Sequence, residues 1–422
     1  MADAPLPLLR RTTCPHCWGK FAPEDTLWVS AHDDLMGDPR LGPDRPLRFL
    51  PTRFDLNGHA LDARGHACRE LACPKCHLPV PRALLELEPV FVSILGTPAC
   101  GKSYYLAALI WELRRLLPRN FALSFGDADP VSNLTINEYE QQLFLNGHPD
   151  DLVPLGDLIR KTEEQGDLYD TVLYGDQAVR YPRPFLFTLK PQDHHPAAKR
   201  RLGRLLCLYD NAGESFLAGK DTAGSPVTRH LAESKALLFL FDPTQDPRFR
   251  RPLQDKGLLP PGAGGRLNRQ EAVLAEAASR VRKHANLPST AKHDRPLVVV
   301  ATKSDVWAPM LNGASKAAPW SAVSPDGLSG LDLGVVERNS AAVRALLAET
   351  TPEVVSAAED FAQKVIYVAV SAVGARPEPT QGPGGWAIRP RDVQPRNVAV
   401  PLLVGLQMSV PGIVPTLRRK TA

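Results

Sequence analysis

Apolar residues fall into two recurring patterns along the chain. Continuous apolar runs, rich in β-branched residues, occur at 89–95, 204–210, 236–242, 296–302 and 365–370. Runs of this length predict strands buried on both faces. Between them lie segments with apolar positions three and four residues apart, which predict helices over 104–113, 133–146, 267–285, 335–347, 352–363 and 398–408. Two shorter runs, at 121–125 and 185–189, read as further strands. Segment 150–184 is polar with turn signals, and 306–334 is rich in Pro, Gly and Ser, so both are expected to be irregular. Strands alternating with helices predict an α/β fold built on a doubly wound, mostly parallel sheet.

Composition narrows the class. A chain of 422 residues, 43% hydrophobic and 23% charged, has the balance of a soluble globular protein of two or three domains. The net charge of +4 is small for this length, so it gives no case for nucleic acid or an acidic membrane as partner. No apolar run approaches the ~20 residues of a membrane span. Residues 1–10 lack the long apolar stretch of a secretory signal, so a cytoplasmic protein is expected.

The seven cysteines include two matched pairs, Cys14-Pro15-His16-Cys17 and Cys73-Pro74-Lys75-Cys76. Each pair offers two thiolates to one side of a tetrahedral ion, and together they predict a Cys₄ zinc (Zn²⁺) site. The interval between pairs is about 55 residues against the roughly 15–20 of a compact ribbon, which implies an insertion. Residues 12–88 are therefore expected to form a small N-terminal zinc-ribbon-like module. Cys68, His16, His59, His66 and His77 are alternative ligands. Asp33, Asp34 and Asp38 match no calcium-loop spacing and read as a solvated acidic loop.

After the run at 89–95 comes Gly96-Thr97-Pro98-Ala99-Cys100-Gly101-Lys102-Ser103, then Tyr104 and a helix. This is the G-x-x-x-x-G-K-S phosphate-binding loop in its strand–turn–helix setting. Backbone N–H groups at a helix N-terminus form an anion cradle. Lys102 would reach the β- and γ-phosphates, and the Ser103 hydroxyl would ligate Mg²⁺. Lys102 is expected to face solvent when no nucleotide is bound.

Three later motifs begin where apolar strands end: Asp210-x-x-Gly213, Thr302-Lys303-Ser304-Asp305 and Ser371-Ala372. That edge of a parallel sheet is where ligands bind. Asp210 could orient Mg²⁺, and the Gly213 N–H could contact a γ-phosphate. The Asp305 carboxylate could accept from guanine N1–H and N2–H₂ together, a donor pair that adenine lacks. The Lys303 stem could pack over the base, and the backbone near Ser371 and Ala372 could bond guanine O6.

In order and placement, over roughly residues 89–410, this set resembles the motifs of TRAFAC-class P-loop GTPases, with T-K-x-D standing where N-K-x-D is usual. The zinc-ribbon segment ahead of the loop, the G-K-S-Y-Y-L-A-A-L helix start and D-N-A-G-E look like the bacterial double-GTPase group. The resemblance implies GTP and GDP as ligands, Mg²⁺-dependent hydrolysis, and protein partners in a multi-component bacterial conflict or signalling system. Many such proteins carry Gln or His after the D-x-x-G glycine. Here it is Glu214, either a base or water-orienting group or a surface residue of a slow enzyme. The Thr that joins Mg²⁺ from the first switch would be Thr171, with Thr162 as rival. An alternative function is an interaction scaffold that binds nucleotide with negligible turnover. An ATPase is a third reading, with Asp305 against it.

Overall fold

The computed structural model describes residues 7–159, 169–200, 202–210, 229–259, 269–314, 317–324, 327–375, 377–379 and 386–417. At its centre lies a seven-stranded sheet. Its strands are β1 (Glu88–Gly96), β2 (Leu123–Asp127), β3 (Phe185–Pro191), β4 (Arg204–Asp210), β5 (Ala236–Phe241), β6 (Leu297–Ala301) and β7 (Val365–Ala369). They run in the order β2-β3-β4-β1-β5-β6-β7. β4, β1, β5, β6 and β7 pair in parallel, whereas β3 is antiparallel to both its neighbours. The sheet is thus mostly parallel, as the apolar runs imply. The reversed strand at 185–191 has no separate mark in the sequence.

β1 lies between β4 and β5, so the chain fans out in two directions from it. The crevice at the carboxyl end of such a strand is a topological switch point. The residues before the crevice are apolar on both faces because both faces are covered. On one side pack α1 (Lys102–Asn120), α2 (Leu134–Phe144) and α6 (Val400–Ser409), over Val92, Ile94, Leu206, Leu208, Leu238 and Val300. On the other, α3 (Gln270–His284) and α5 (Pro352–Phe361) cover β5, β6 and β7 through Phe239, Val299 and Tyr367. α4 (Leu333–Thr350) contributes to both clusters.

The N-terminal residues cover the rest of that second side. Leu205, Cys207 and Tyr209 of β4 alternate with Leu206 and Leu208. They point to a separate cluster with Phe91, Leu186, Trp18, Phe21 and the four paired cysteines. Residues 78–89 join this layer: Pro79–Val80 pairs with Leu71–Ala72, and Ala83–Glu86 forms a turn of helix. Segment 150–184 is less irregular than its polar composition suggests. It contains a hairpin, Tyr169–Tyr174 against Gln177–Pro182, whose Val172 and Tyr181 pack into the same cluster. Segment 306–334 likewise holds a small hairpin, Trp320–Ala322 against Ser329–Leu331. Among the described residues no helix is long and apolar enough to cross a membrane.

Leu208 is fully buried between β4 and the α1 face. Leu208→Ala should destabilise the protein by roughly 2–5 kcal/mol, since the surrounding sheet cannot collapse into the cavity. Urea unfolding monitored by circular dichroism measures this, and a shift under about 1 kcal/mol would contradict the packing described.

Candidate functional site

The two Cys-Pro-x-Cys turns meet. Cys14, Cys17, Cys73 and Cys76 place their sulfurs within 4.8 Å of one another, all four buried and none in a disulfide. Cys14 Sγ lies 3.8 Å from Cys76 Sγ, and Cys17 Sγ 3.8 Å from Cys73 Sγ. Each turn is built the same way. The N–H two residues on points back at the first sulfur, His16 N to Cys14 Sγ at 3.4 Å and Lys75 N to Cys73 Sγ at 3.4 Å. The residue after each second cysteine, Trp18 and His77, takes a left-handed backbone (φ 55° and 61°) and bonds back to the carbonyl of the first cysteine. Burial pushes the Cys14 and Cys76 thiols up, whereas hydrogen bonds from the other three thiols stabilise the Cys73 thiolate. Four soft donors with backbone N–H groups aimed at sulfur fit a tetrahedral Zn²⁺.

The alternative ligands are engaged elsewhere. His16 Nε2 bonds Pro79 O at 3.0 Å, His59 pairs with Asp55, His77 Nδ1 lies 2.8 Å from Asp38, and Cys68 Sγ meets His66 O. Among the described residues the four paired cysteines form the one group of three or more ligating side chains close enough to hold a metal.

The second constellation gathers at the carboxyl end of β1. Gly96 ends the strand against β5, and an added Cβ there would lie 2.6 Å from Leu240 O and 2.8 Å from Cys100 Sγ. Gly101 takes φ 95°, a backbone region that disfavours side chains, and leads straight into α1. Ala99 also has a positive φ of 60°. Thr97, Pro98, Ala99, Cys100, Gly101, Lys102 and Ser103 therefore curl around the helix N-terminus, the geometry of an anion cradle.

Lys102 departs from expectation. It is not solvent-facing but 7% exposed, with Nζ donating to Gly96 O at 3.0 Å and Thr97 O at 2.9 Å. A buried ammonium needs acceptors, and the carbonyls of its own loop supply them. Tyr104 sends its hydroxyl away from the loop, onto Leu155 O.

Asp210, at the end of β4, is buried next to this lysine. Its Oδ1 has no hydrogen-bond partner among the described residues. Burial lifts its carboxyl from an ordinary 3.8 to about 6, with the Lys102 charge opposing. An orphaned buried carboxylate oxygen beside a phosphate-type loop suits a cation ligand.

Past β6, Thr302 Oγ1 donates to Cys100 O at 3.0 Å, which fastens this loop to the phosphate-type loop. Lys303 takes a left-handed backbone (φ 56°), and its Nζ lies 2.5 Å from Asp242 Oδ2. Burial opposes the Lys303 charge, but the Asp242 carboxylate outweighs it and raises the lysine pKa. Asp305 accepts from the Ser371 hydroxyl, which in turn accepts from Gly374 N at 2.7 Å. Burial raises the Asp305 carboxyl despite that bond. Asp305 also lines a cavity of about 430 Å³ with Gly374, Ala375, Ile388, Gln394 and Arg396. Ala372 follows Ser371 at the same edge, partly buried.

Of the remaining expected residues, only Thr171 is among those described. Thr171 is exposed in the hairpin at 169–182, opposite Arg180, and the hairpin bonds to Arg40 through Leu173. Gly213, Glu214 and Thr162 lie outside the described residues.

The structure adds two residues that sequence reasoning missed. Gln270, 3% exposed at the start of α3, accepts from Thr97 Oγ1 and from Asp242 N, and donates to Asp242 O. It ties the phosphate-type loop to the end of β5. Asp242 was the more readable of the two, since it ends an apolar run just as Asp210 does. Gln270 has no local signature.

Comparison with known proteins is consistent with a distant relationship. No family model matches the chain. A proposed ESX-1 scaffolding and assembly protein, SaeC, from Mycolicibacterium smegmatis is 29% identical over 194 residues, 44% of this chain and 41% of that relative. The match thus spans less than half of the relative's length. A solved structure, the signal recognition particle receptor SRb-GTP/SRX complex from Chaetomium thermophilum, aligns with 68% of this chain and 94% of its own. The identity is 13% and the TM-score 0.25, too low to rest an argument on.

Two outcomes follow from these sites. Protein purified without chelator should hold about one zinc per chain, and Cys73→Ser should lose metal and stability together because binding and folding are coupled. Elemental analysis showing no zinc in the parent would refute the assignment.

The second outcome concerns Asp210 in the metal- and nucleotide-free chain. Its folded pKa lies above the unfolded value, so the folded state binds the proton more tightly and stability from this group is lost as pH rises from about 4 to 6. Two pKa units correspond to about 3 kcal/mol. Asp210→Asn should therefore gain stability relative to the parent at pH 8 and little at pH 4. Urea midpoints for both proteins across this range give the difference, and a pH-independent difference contradicts the burial argument.

Proposed function

We propose that the protein is a GTP-binding and hydrolysing switch. The observation that carries this is the joining of the Thr302–Asp305 loop to the phosphate-type loop through Thr302 Oγ1 and Cys100 O. That bond would hold the Asp305 carboxylate at a fixed distance from the phosphate-type loop, as reading the base of a purine nucleotide requires. Asp305 beside the cavity would accept from guanine N1–H and N2–H₂. The P-loop amides and Lys102 would hold the phosphates, and the Lys102 ammonium would exchange its loop carbonyls for phosphate oxygens. Ser103 and Asp210 would hold Mg²⁺, which supplies charge neutralisation for in-line attack by water. Thr171 and Glu214 are the proposed switch threonine and water-orienting group. As in the TRAFAC resemblance, the segments around Asp210 and Thr171 would respond to the γ-phosphate.

A second reading has its own support. The similar protein SaeC is described as a scaffolding and assembly factor. On that reading this chain holds nucleotide as a structural ligand and organises protein partners in a bacterial multi-protein assembly, with little turnover. Single-turnover hydrolysis of bound GTP, measured against stoichiometric binding, separates the two.

The base is the sharper test. Lys102→Ala is a poor probe, because it strips two buried carbonyls of their donor. Asp305→Asn instead presents one acceptor and one donor, which matches xanthine and mismatches guanine. A mispaired buried polar group costs roughly 1–3 kcal/mol, about tenfold or more in affinity. The variant should lose GTP affinity and gain xanthosine triphosphate affinity. Calorimetric titration of GTP, ATP and xanthosine triphosphate into both proteins with Mg²⁺ decides it. A parent that prefers ATP, or a variant that still prefers GTP, removes Asp305 from base recognition.

A further inference from the structure

The cysteine centre and the nucleotide site meet at one side chain, Tyr209. It lies on β4 immediately before Asp210, and its ring is fully buried among the module residues and against His230. Both functions of its hydroxyl are used by the first cysteine turn. It donates to Pro15 O at 2.6 Å and accepts from Trp18 Nε1 at 3.1 Å. Pro15 lies between the ligands Cys14 and Cys17, and Trp18 follows directly. Where Pro15 O and the Trp18 indole point is therefore set by the turn that the four sulfurs close.

On its other side Tyr209 reaches the phosphate-type loop's own strand. Its ring stacks on His230 with centroids 4.8 Å apart and planes at 24°. His230 Nδ1 lies 2.5 Å from Ser93 Oγ, and Ser93 Oγ 2.6 Å from Ser234 Oγ. Ser93 stands opposite Tyr209 in the β4–β1 pairing, three residues before Gly96. Trp18 contacts both rings, at 6.2 Å from Tyr209 and 6.3 Å from His230. A buried path of hydrogen bonds and one ring stack thus runs from the cysteine turn to β4 and β1, close to the carboxyl ends where Asp210 and the loop begin.

We propose that metal binding at Cys14, Cys17, Cys73 and Cys76 and Mg²⁺–nucleotide binding at the Asp210 end are energetically coupled through Tyr209. Metal fixes the turn that holds the Tyr209 hydroxyl, and so fixes the strand end that presents Asp210. Loss of metal frees the turn, leaves the hydroxyl without its two partners, and lets the strand end shift. A ligand at Asp210 that favours the fixed strand end must favour the metal-bound turn by the same factor, because linkage is reciprocal. The inference rests on the nucleotide-site reading above. It assigns the cysteine module a role in regulating that site, and it makes Tyr209 a positioning residue.

The test measures zinc affinity rather than turnover. The full-length protein is titrated against a chromophoric chelator of known zinc affinity, with and without saturating Mg²⁺ and guanylyl imidodiphosphate, after calorimetry has verified nucleotide binding. Nucleotide should tighten zinc binding about fivefold or more, the usual scale of coupling between sites. Tyr209→Phe keeps the ring and its stack on His230 but loses both hydroxyl bonds. It should still bind zinc and nucleotide singly, while the ratio of zinc affinities with and without nucleotide falls towards one. Equal zinc affinities in the parent with nucleotide bound overturn the coupling and leave the nucleotide reading standing. An undiminished ratio in Tyr209→Phe overturns the assignment to Tyr209. Failure of the parent to bind guanine nucleotide overturns the functional reading and this inference with it.

Discussion

A mostly parallel sheet has two apolar faces, and everything else in this chain follows from how they are covered. One face takes α1, α2 and α6 along its length. Among the described residues the other has helices over β5 to β7 and the end of β1 at Leu95, and over β3, β4 and Phe91 of β1 it is closed by the cysteine module. Without that layer, Leu205, Cys207 and Tyr209 would lie against water. Burying a large apolar side chain is worth about 1.5–3 kcal/mol, so the module is part of the core and not an appendage. The four-sulfur cluster then matters twice, since a layer made of turns and strands of two to five residues has little packing of its own to hold it.

At the edge where strands end, electrostatics replace packing. Three strand ends deliver Asp210, Asp242 and the Thr302–Asp305 loop to one crevice, and the helix N-terminus and Lys102 answer them. The compensation is unequal. Asp242 is paired with Lys303 and bonded by Thr244 and Gln245, whereas one oxygen of Asp210 has no partner among the described residues and its acidity is weakened. A buried polar atom left without a partner costs stability unless a ligand completes it. Lys102 is the counterpart: its ammonium is committed to two loop carbonyls, a self-satisfied state that a phosphate has to displace.

Much of this was readable in one dimension. Continuous apolar runs marked the five parallel strands and two shorter runs marked β2 and β3, while Gly96, hemmed in by Leu240, and Gly101, at a positive φ, marked the loop because neither admits a side chain. The paired Cys-Pro-x-Cys turns were equally legible, since each pair is a local structure with its own hydrogen bonds. What sequence left open depended on partners far away in the chain. The reversal of β3 is set by which edges remain to be paired, and a strand's direction leaves no trace in its own apolar pattern. Gln270 looks like any polar residue at a helix start until it bridges Thr97 and Asp242.

The sequence by itself therefore determined the central strands and their main helices, the paired cysteine turns and the phosphate-type loop, because each is decided by neighbours within a few residues. Only the tertiary structure decided that Lys102 is buried against its own loop, that the alternative metal ligands are engaged elsewhere, and that Trp18 meets Tyr209 across 191 residues. Those outcomes turn on hydrogen-bond satisfaction inside a closed core. A donor's partner is settled there by what the fold brings within reach, a choice that residue type and spacing do not encode.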